Sequence, residues 1–343
     1  MHHPSLSSTS QGIPAITPDM VIVAIPALNE EAAIADCLRS LIVGDPFMKD
    51  VQIVVADGGS TDRTLDIIEA LRGDFPNVTV LKNPARLQSA GINAVVEQRA
   101  GPTHQFLVRC DAHAHYPRGY VRKVVESLAL RSNAASVAVP MDSVGYGSFS
   151  KAGAWIVDTK LGSGGSAHRG GTGSGWVDHG HHAGFRLDWF RKVGGYDSSF
   201  SHNEDAEYDH RIGLAGGRVW LDADIRLEYH MRSTLTALAK QYWTYGKGRA
   251  RTVLKHKMKP RLRQMIPVAH VALLAVTGVL GFAWPVMWLY PALYVAVLIA
   301  VAATGAKRLG WPSGLWAGPA LGAMHIAWGA GFLHQCLAPK SQG

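Results

Sequence analysis

The sequence predicts an α/β domain with a mostly parallel sheet, followed by three apolar helices long enough to span a membrane. Three observations carry this. Between residues 20 and about 230, short apolar runs alternate with stretches of helical spacing, the pattern of successive βαβ units. Beyond Arg263 come three runs of 18 or 19 residues with scarcely a titratable group, each near the length that crosses hydrocarbon. Between these regions, residues 247–263 hold eight Lys or Arg and no Asp or Glu, as expected of a segment that meets an anionic surface or a phosphorylated ligand.

In chain order, residues 1–18 are polar and rich in Ser, Pro and Thr. They lack the apolar core of a signal peptide and read as a loose tail. The α/β domain is expected over 19–232. Residues 20–25 form its first strand and 30–42 its first helix; 51–56 form a second strand; 62–71 form a second helix, with Ser60 or Thr61 as its cap. Residues 78–81 and 106–109 read as further buried strands. A basic, interfacial helical segment covers 233–264, and its Leu235, Leu238, Tyr242 and Tyr245 recur at helical spacing as a packing face. Residues 265–337 then carry spans at about 266–284, 286–303 and 315–333, in which only His270 and His325 titrate. Trp and Tyr flank the runs. If the chain crosses three times, residues 247–263 and the pair Lys307-Arg308 fall on one side. The positive-inside rule then puts the domain in the cytoplasm, on a multi-pass anchor in the inner (cytoplasmic) membrane.

Composition agrees with this division. Charged residues are 17% of 343 and the net charge is +8, low in charge for a fully soluble protein. The three cysteines, Cys37, Cys110 and Cys336, are far apart and form neither a disulfide framework nor a zinc spacing. A nucleic-acid partner is excluded, because the basic run abuts a span and no recognition motif accompanies it.

Parallel sheets bind ligands at the carboxyl ends of their strands, so the polar residues after each apolar run are the candidates for chemistry. The first run ends in Pro26-Ala27-Leu28-Asn29-Glu30 and the second in Asp57-Gly58-Gly59-Ser60-Thr61-Asp62. Two glycines after a strand let a ligand approach the backbone. Asp62 reads as a first-turn carboxylate favoured by the helix dipole. Residues 106–113 end in Asp111-Ala112-His113. Strand alternation puts Asp111 and His113 on one side, a donor pair suited to manganese or magnesium.

These motifs, followed by Asn203-Glu204-Asp205, stand in the order of the family 2 glycosyltransferases of the GT-A fold, which residues 20–250 resemble. Residues 109–117, 164–169 and 179–182 are most similar to the succinoglycan-type exopolysaccharide glucosyltransferases. The resemblance implies a GT-A, Rossmann-like nucleotide-sugar-binding domain and a UDP-sugar donor, with glucose expected. Pro26, Asn29, Glu30, Asp57, Gly58, Gly59 and Asp111 would surround the donor. Asp111, His113 and a further ligand, His230, would hold the divalent cation. Asp205 would be the general base. One base and a direct displacement imply inversion, so an α-linked donor gives a β-linked product. The acceptor would be a saccharide on a polyprenyl diphosphate, with membrane lipids as the remaining partner.

The acceptor side is expected to use Glu204, which orients Asp205 or bonds the acceptor, and His182, which precedes a segment resembling the family's glycine loop. Residues 162–175 contain seven glycines in 14 and form no stable element alone. They read as a mobile substrate loop whose His168 and Arg169 close on diphosphate. Gln241 resembles the glutamine of the Gln-x-x-Arg-Trp motif of processive synthases. Here the residues are Gln-Tyr-Trp-Thr-Tyr, which argues against a polymerase. Lys247, Arg249 and Arg251 would neutralise a lipid diphosphate. His115, His179 and His181 read equally as structural or ligand-facing. Two other readings stay open: transfer to a polyprenyl monophosphate, and a non-catalytic membrane scaffold.

Overall fold

The computed structural model describes residues 15–166, 169 and 171–338. Most of the expected tail, and His168, lie outside the described residues. A 3-10 turn at Pro18–Met20 leads into β1 (Val21–Ala27), α1 (Ile34–Ile42), β2 (Gln52–Asp57), α2 (Thr64–Leu71), β3 (Val78–Lys82), α3 (Gln88–Arg99) and β4 (Phe106–Arg109). All four strands expected from the sequence form within a residue or two of their expected bounds. Both helices begin later, because the residues before them make turns that serve the site described below.

The second half continues with α4 (Tyr120–Ala129), β5 (Ala134–Val139), β6 (Met141–Val144), α5 (Ser148–Val157), the single turn α6 (Lys160–Ser163), β7 (Gly175–Val177) and β8 (His181–Arg186). Then follow α7 (Leu187–Lys192), α8 (Glu204–Leu214), β9 (Arg218–Leu221) and β10 (Leu227–His230). Eight strands form one sheet in the order β3-β2-β1-β4-β8-β5-β9-β7, and β10 pairs with β6 in a separate ribbon. The first four strands are parallel, but β8 runs antiparallel to both β4 and β5, and β7 antiparallel to β9. Because β5 and β9 pair parallel, six of the eight strands run the same way, and the expectation of a mostly parallel sheet holds with β7 and β8 as the two reversed strands. A lone apolar run carries no mark of its direction.

The parallel strands are apolar on both faces, as a sheet covered by helices on both sides requires. Val21, Val23 and Ile25 enter the core with α1, α2 and α4, while Ile22 and Ala24 face the core with α3, α7 and α8. The sheet order reverses at β1, with β2 on one side of it and β4 on the other. Such a switch point splays the following loops apart and leaves a crevice at the strands' carboxyl ends.

The C-terminal part consists of α9 (Leu235–Lys255), α10 (Leu262–Leu280), α11 (Leu289–Leu309) and α12 (Ala317–Leu337). Thr234 caps α9 by accepting from the Ala237 amide at 3.2 Å. Among the described residues two segments, not the expected three, have the length and apolarity to cross a bilayer: Leu262–Leu280 and Pro285–Leu309. The third expected span is present as α12, but it is rich in Gly and Ala, and nine of its 21 residues are buried by protein.

Candidate active site

The loops after β1 and β2 are stitched together by their own polar side chains. Asp57 ends β2, and its carboxylate accepts from the amide of Gly59 (2.9 Å), the amide of Ser60 (3.2 Å) and the Ser60 hydroxyl (2.6 Å). Gly59 has φ +81°, the left-handed region that a glycine enters without strain. The Ser60 hydroxyl in turn accepts from the Asn29 amide (2.9 Å), and the Asn29 side chain accepts from the Thr61 amide (2.8 Å). Asn29 itself sits at φ +57°. Asp62 receives the Thr64 and Glu31 amides, each at 3.0 Å. The N-cap position of α2 is Arg63, without a side-chain cap, so neither Ser60 nor Thr61 caps the helix; Asp62 instead holds the amide of its first residue.

Stitched this way, the loops open a cavity of about 180 Å³ at the switch point. Pro26, Glu30, Gly58, Asp111 and His113 line it, as expected. Asn29, Asp57 and Gly59, also expected around the donor, do not line it; they brace the loops that do. The sequence reading missed Asn83, Arg86, Leu87 and Gln88, which line the cavity from the loop after β3. They follow a strand that was recognised, so the carboxyl-end rule would have found them.

The donor set fits a divalent cation. Asp111 and His113 share the cavity, and His113 Nδ1 lies 3.1 Å from Glu30 Oε1. A carboxylate on one ring nitrogen fixes an imidazole and frees the other nitrogen to ligate. One carboxylate and one imidazole, completed by phosphate oxygens and water, suit manganese or magnesium. The hydrogen bond to Glu30 raises the His113 pKa above its ordinary value. The expected third ligand is not gathered in. His230 lies exposed on β10, edge-on to the Tyr146 ring and 3.9 Å from Glu228. Its strand pairs only with β6, apart from the main sheet. No three His, Cys, Asp or Glu side chains converge on a metal position among the described residues.

Behind Asp111 stands a residue that the sequence reading did not single out. Arg109, at the end of β4, is 6% exposed, and its guanidinium lies 2.6 Å from Asp205 Oδ1, 3.5 Å from Asp111 Oδ1 and 3.9 Å from Glu204. Asp205 Oδ1 also receives the Tyr196 hydroxyl at 3.0 Å and lies 3.2 Å from His182 Nδ1. Burial opposes ionisation of Asp205, but Arg109 and then His182 outweigh it and hold the carboxyl well below the usual range. Glu204 behaves oppositely: burial and the adjacent Asp205 push it up to about 7. His181, at the start of β8, lies 3.9 Å from Asp111, and burial takes it down to about 4, so it is neutral.

His182 was expected to meet the acceptor, but it does not reach the surface. It is fully buried, with Nδ1 2.9 Å from the Tyr196 hydroxyl and Nε2 2.6 Å from Asp209 Oδ1. Burial alone would lower its pKa, yet Asp209 and Asp205 raise it to about 10. Strand alternation explains the difference: His181 points to the crevice and His182 to the interior. His179 joins the interior set through Asp209 Oδ2 at 2.9 Å.

The basic residues of α9 divide in the same manner. Arg251 donates to the Ser199 carbonyl (2.8 Å) and covers the Phe200 ring. It fastens the helix to the domain, contrary to the expected phosphate contact. Gln241 donates to the hydroxyls of Tyr229 (2.5 Å) and Tyr245 (3.0 Å). Arg169 lies over the Tyr229 ring, and its Nη1 is buried without a hydrogen-bond partner. Burial and the neighbouring Arg261 push Arg249 down to about 10, the mark of a cation short of anions.

The family model described as glycosyl transferase family 2 matches residues 22–194. The succinoglycan biosynthesis protein ExoA of Rhizobium meliloti (strain 1021) is 42% identical over 330 residues, covering 94% of this chain and 96% of that protein. A dolichyl N-acetyl-α-D-glucosaminyl phosphate 3-β-D-2,3-diacetamido-2,3-dideoxy-β-D-glucuronosyltransferase of Methanococcus voltae is 24% identical over 246 residues, 69% of this chain and 75% of that one. Among solved structures, the mannosyltransferase PcManGT from Pyrobaculum calidifontis, in complex with GDP-Man and Mn2+, superposes with a TM-score of 0.58 at 19% identity, covering 94% of this chain and 89% of that one.

Proposed function

The chain belongs to glycosyl transferase family 2, and from that membership we propose that it transfers glucose from UDP-glucose, with inversion, to a saccharide on a polyprenyl diphosphate during exopolysaccharide assembly. The observation that carries this reading is the Arg109 bridge. It links Asp111, which lines the cavity, to Asp205, which supports reading donor and base as parts of one site. The similarity to a succinoglycan biosynthesis protein over nearly the whole chain supports the pathway class.

In this reading the nucleotide lies against Pro26, Glu30 and Gly58, in a wall that Asn29, Asp57 and Gly59 keep in shape. Asp111 and His113 would hold a divalent cation, which when bound would supply positive charge against the departing diphosphate. Asp205 accepts the proton of the acceptor hydroxyl as that oxygen attacks the anomeric carbon. Its carboxylate is ionised at neutral pH and positioned by three donors on one oxygen, which hold it in place while lowering its basicity. The acceptor's own diphosphate meets Arg169 and Arg249, two cations with no carboxylate within ion-pair distance among the described residues. Lys247 lies on the same helix. The catalytic domain sits on the cytoplasmic side, where nucleotide-sugars are made.

Glu204 offers a second candidate base. Its pKa of about 7 is matched to neutral catalysis, and its nearest cation is 3.9 Å away. The pH profile separates the two. With Glu204 as base, kcat/KM rises through pH 7; with Asp205 as base, it shows no such step. Incubating membranes that bear lipid-linked saccharide with radiolabelled UDP-glucose tests the whole reading. Asp205→Asn should lower incorporation by about 10²–10⁴-fold. Unchanged incorporation in that variant overturns the assignment. The mass and acid lability of the labelled lipid distinguish a diphosphate-linked product from transfer to a polyprenyl monophosphate.

A further inference from the structure

We infer that only the α10–α11 hairpin enters the bilayer, and that α12 is a strut on the catalytic side, so that Cys336 at its end faces the same compartment as Asp205.

The argument starts from α9, which is fixed to the catalytic domain. Lys255 pairs with Asp197, Arg251 holds the Ser199 carbonyl, and His256, just past the helix, lies 2.8 Å from Glu207. This helix carries Lys240, Lys247, Arg249, Arg251 and Lys255. Placing a single Lys or Arg at the centre of a bilayer costs about 2.5–3.5 kcal/mol even on the most lenient scale. A helix with five does not cross.

Along its length α12 lies against α9, with backbones in contact. A Cβ built on Gly246 would stand 2.0 Å from the Trp328 carbonyl oxygen, and one on Gly331 would stand 2.2 Å from the Trp243 carbonyl oxygen. Leu238 of α9 shares a buried cluster with Ala320, Leu321 and Met324 of α12, and Ala250 shares another with Phe332. At the other end Phe149 of α5 packs edge-on against Trp316, which immediately precedes α12. A helix in register with α9 and roofed by α5 has no path through hydrocarbon. The small residues that look like a weak span are the ones that let the two backbones touch.

The α10–α11 pair meets α12 on one face, through Pro267 beside Gly329 and Leu298 beside Gly318, but its outer face has the opposite character. Ile266, Val279, Leu293 and Ile299 are each more than half exposed. With 19 and 21 residues at about 1.5 Å per residue, these helices match a hydrocarbon core of about 30 Å. Arg261 and Arg263 at the start of α10, and Lys307 and Arg308 at the end of α11, mark the near side. There Arg263 reaches the Gly164 carbonyl, and Gly305 packs against Trp155. The far tip carries exposed Phe282, Trp284 and Trp288, residues suited to a bilayer interface. Lipid is the occupant that fits this apolar hairpin.

The protein carries its own probe. Cys336 is exposed while Cys37 and Cys110 are buried. The full-length chain is expressed in the cytoplasmic membrane of a bacterial host and treated with a charged, membrane-impermeant maleimide. Because charged reagents do not cross hydrocarbon, inside-out vesicles should take up roughly tenfold more label than right-side-out spheroplasts. Cys336→Ser should remove that label. In the Cys336→Ser background, Val286→Cys at the hairpin tip should react from the opposite face. Labelling of Cys336 from outside, or no labelling from either face until detergent is added, overturns the assignment of α12. Labelling of the Val286→Cys tip from the catalytic side overturns the crossing of the hairpin.

Discussion

Replacing Arg109 by Met should be strongly destabilising. The side chain is 6% exposed and its guanidinium serves Asp205 at 2.6 Å, Asp111 at 3.5 Å and Glu204 at 3.9 Å. Methionine fills much of the same volume but leaves three carboxylates facing one another in a poorly solvated pocket. Removing one partner of a buried ion pair costs about 3–5 kcal/mol; Asp205 keeps His182 and the Tyr196 hydroxyl, while Asp111 and Glu204 lose their arginine. For a domain of this size each kcal/mol moves Tm by about 2–4 °C, so the expected fall is about 6–20 °C. The assay is thermal unfolding of detergent-purified protein at neutral pH. A double-mutant cycle with Asp205→Asn supplies the check, because removing the strongest partner should restore part of the loss. Coupling between contacting charges is about 0.5–3 kcal/mol. A Tm change below about 3 °C, or strict additivity in the cycle, would refute the claim that Arg109 binds the site together.

Other expectations follow from the same geometry. His182 is protonated in the folded state up to about pH 10, against an ordinary value of 6.5. Its contribution to stability is therefore complete below pH 6.5 and is lost as pH rises to about 10. The Tm should fall across that window in the native chain, and the slope should flatten in His182→Gln. Asp57→Asn trades an acceptor of three hydrogen bonds for a group with one carbonyl oxygen, loosening the turn by about 1–3 kcal/mol. The kinetic result should be a higher KM for the nucleotide-sugar with kcat nearly unchanged; a loss confined to kcat would place Asp57 in the chemical step instead. Gly246→Ala drives a methyl group into the Trp328 carbonyl and should lower stability by about 1–3 kcal/mol. Gly278→Ala, with nothing within 4 Å, should leave the melting curve in detergent where it was.

The sequence by itself determined the order of the first four strands and the loops that follow them. Apolar runs with polar residues at their ends can be read locally, and this marks the loops after β1, β2 and β4 as candidates for chemistry; the resemblance to a family is what groups Pro26, Glu30, Gly58, Asp111 and His113, which line one cavity. Tertiary structure decided what depends on distant partners. Arg109 joins Asp205 from 96 positions away, and no local pattern marks an arginine as the hub of an ion cluster. His181 and His182 are neighbours in sequence, yet one faces the crevice and the other the interior, because pairing with β4 and β5 fixes which side of β8 each occupies. Apolarity reports that a helix avoids water without saying whether lipid or protein covers it. The Gly and Ala content of α12 already sets it apart from α10 and α11, but it is the packing against α9 and α5 that separates a strut from a weak span.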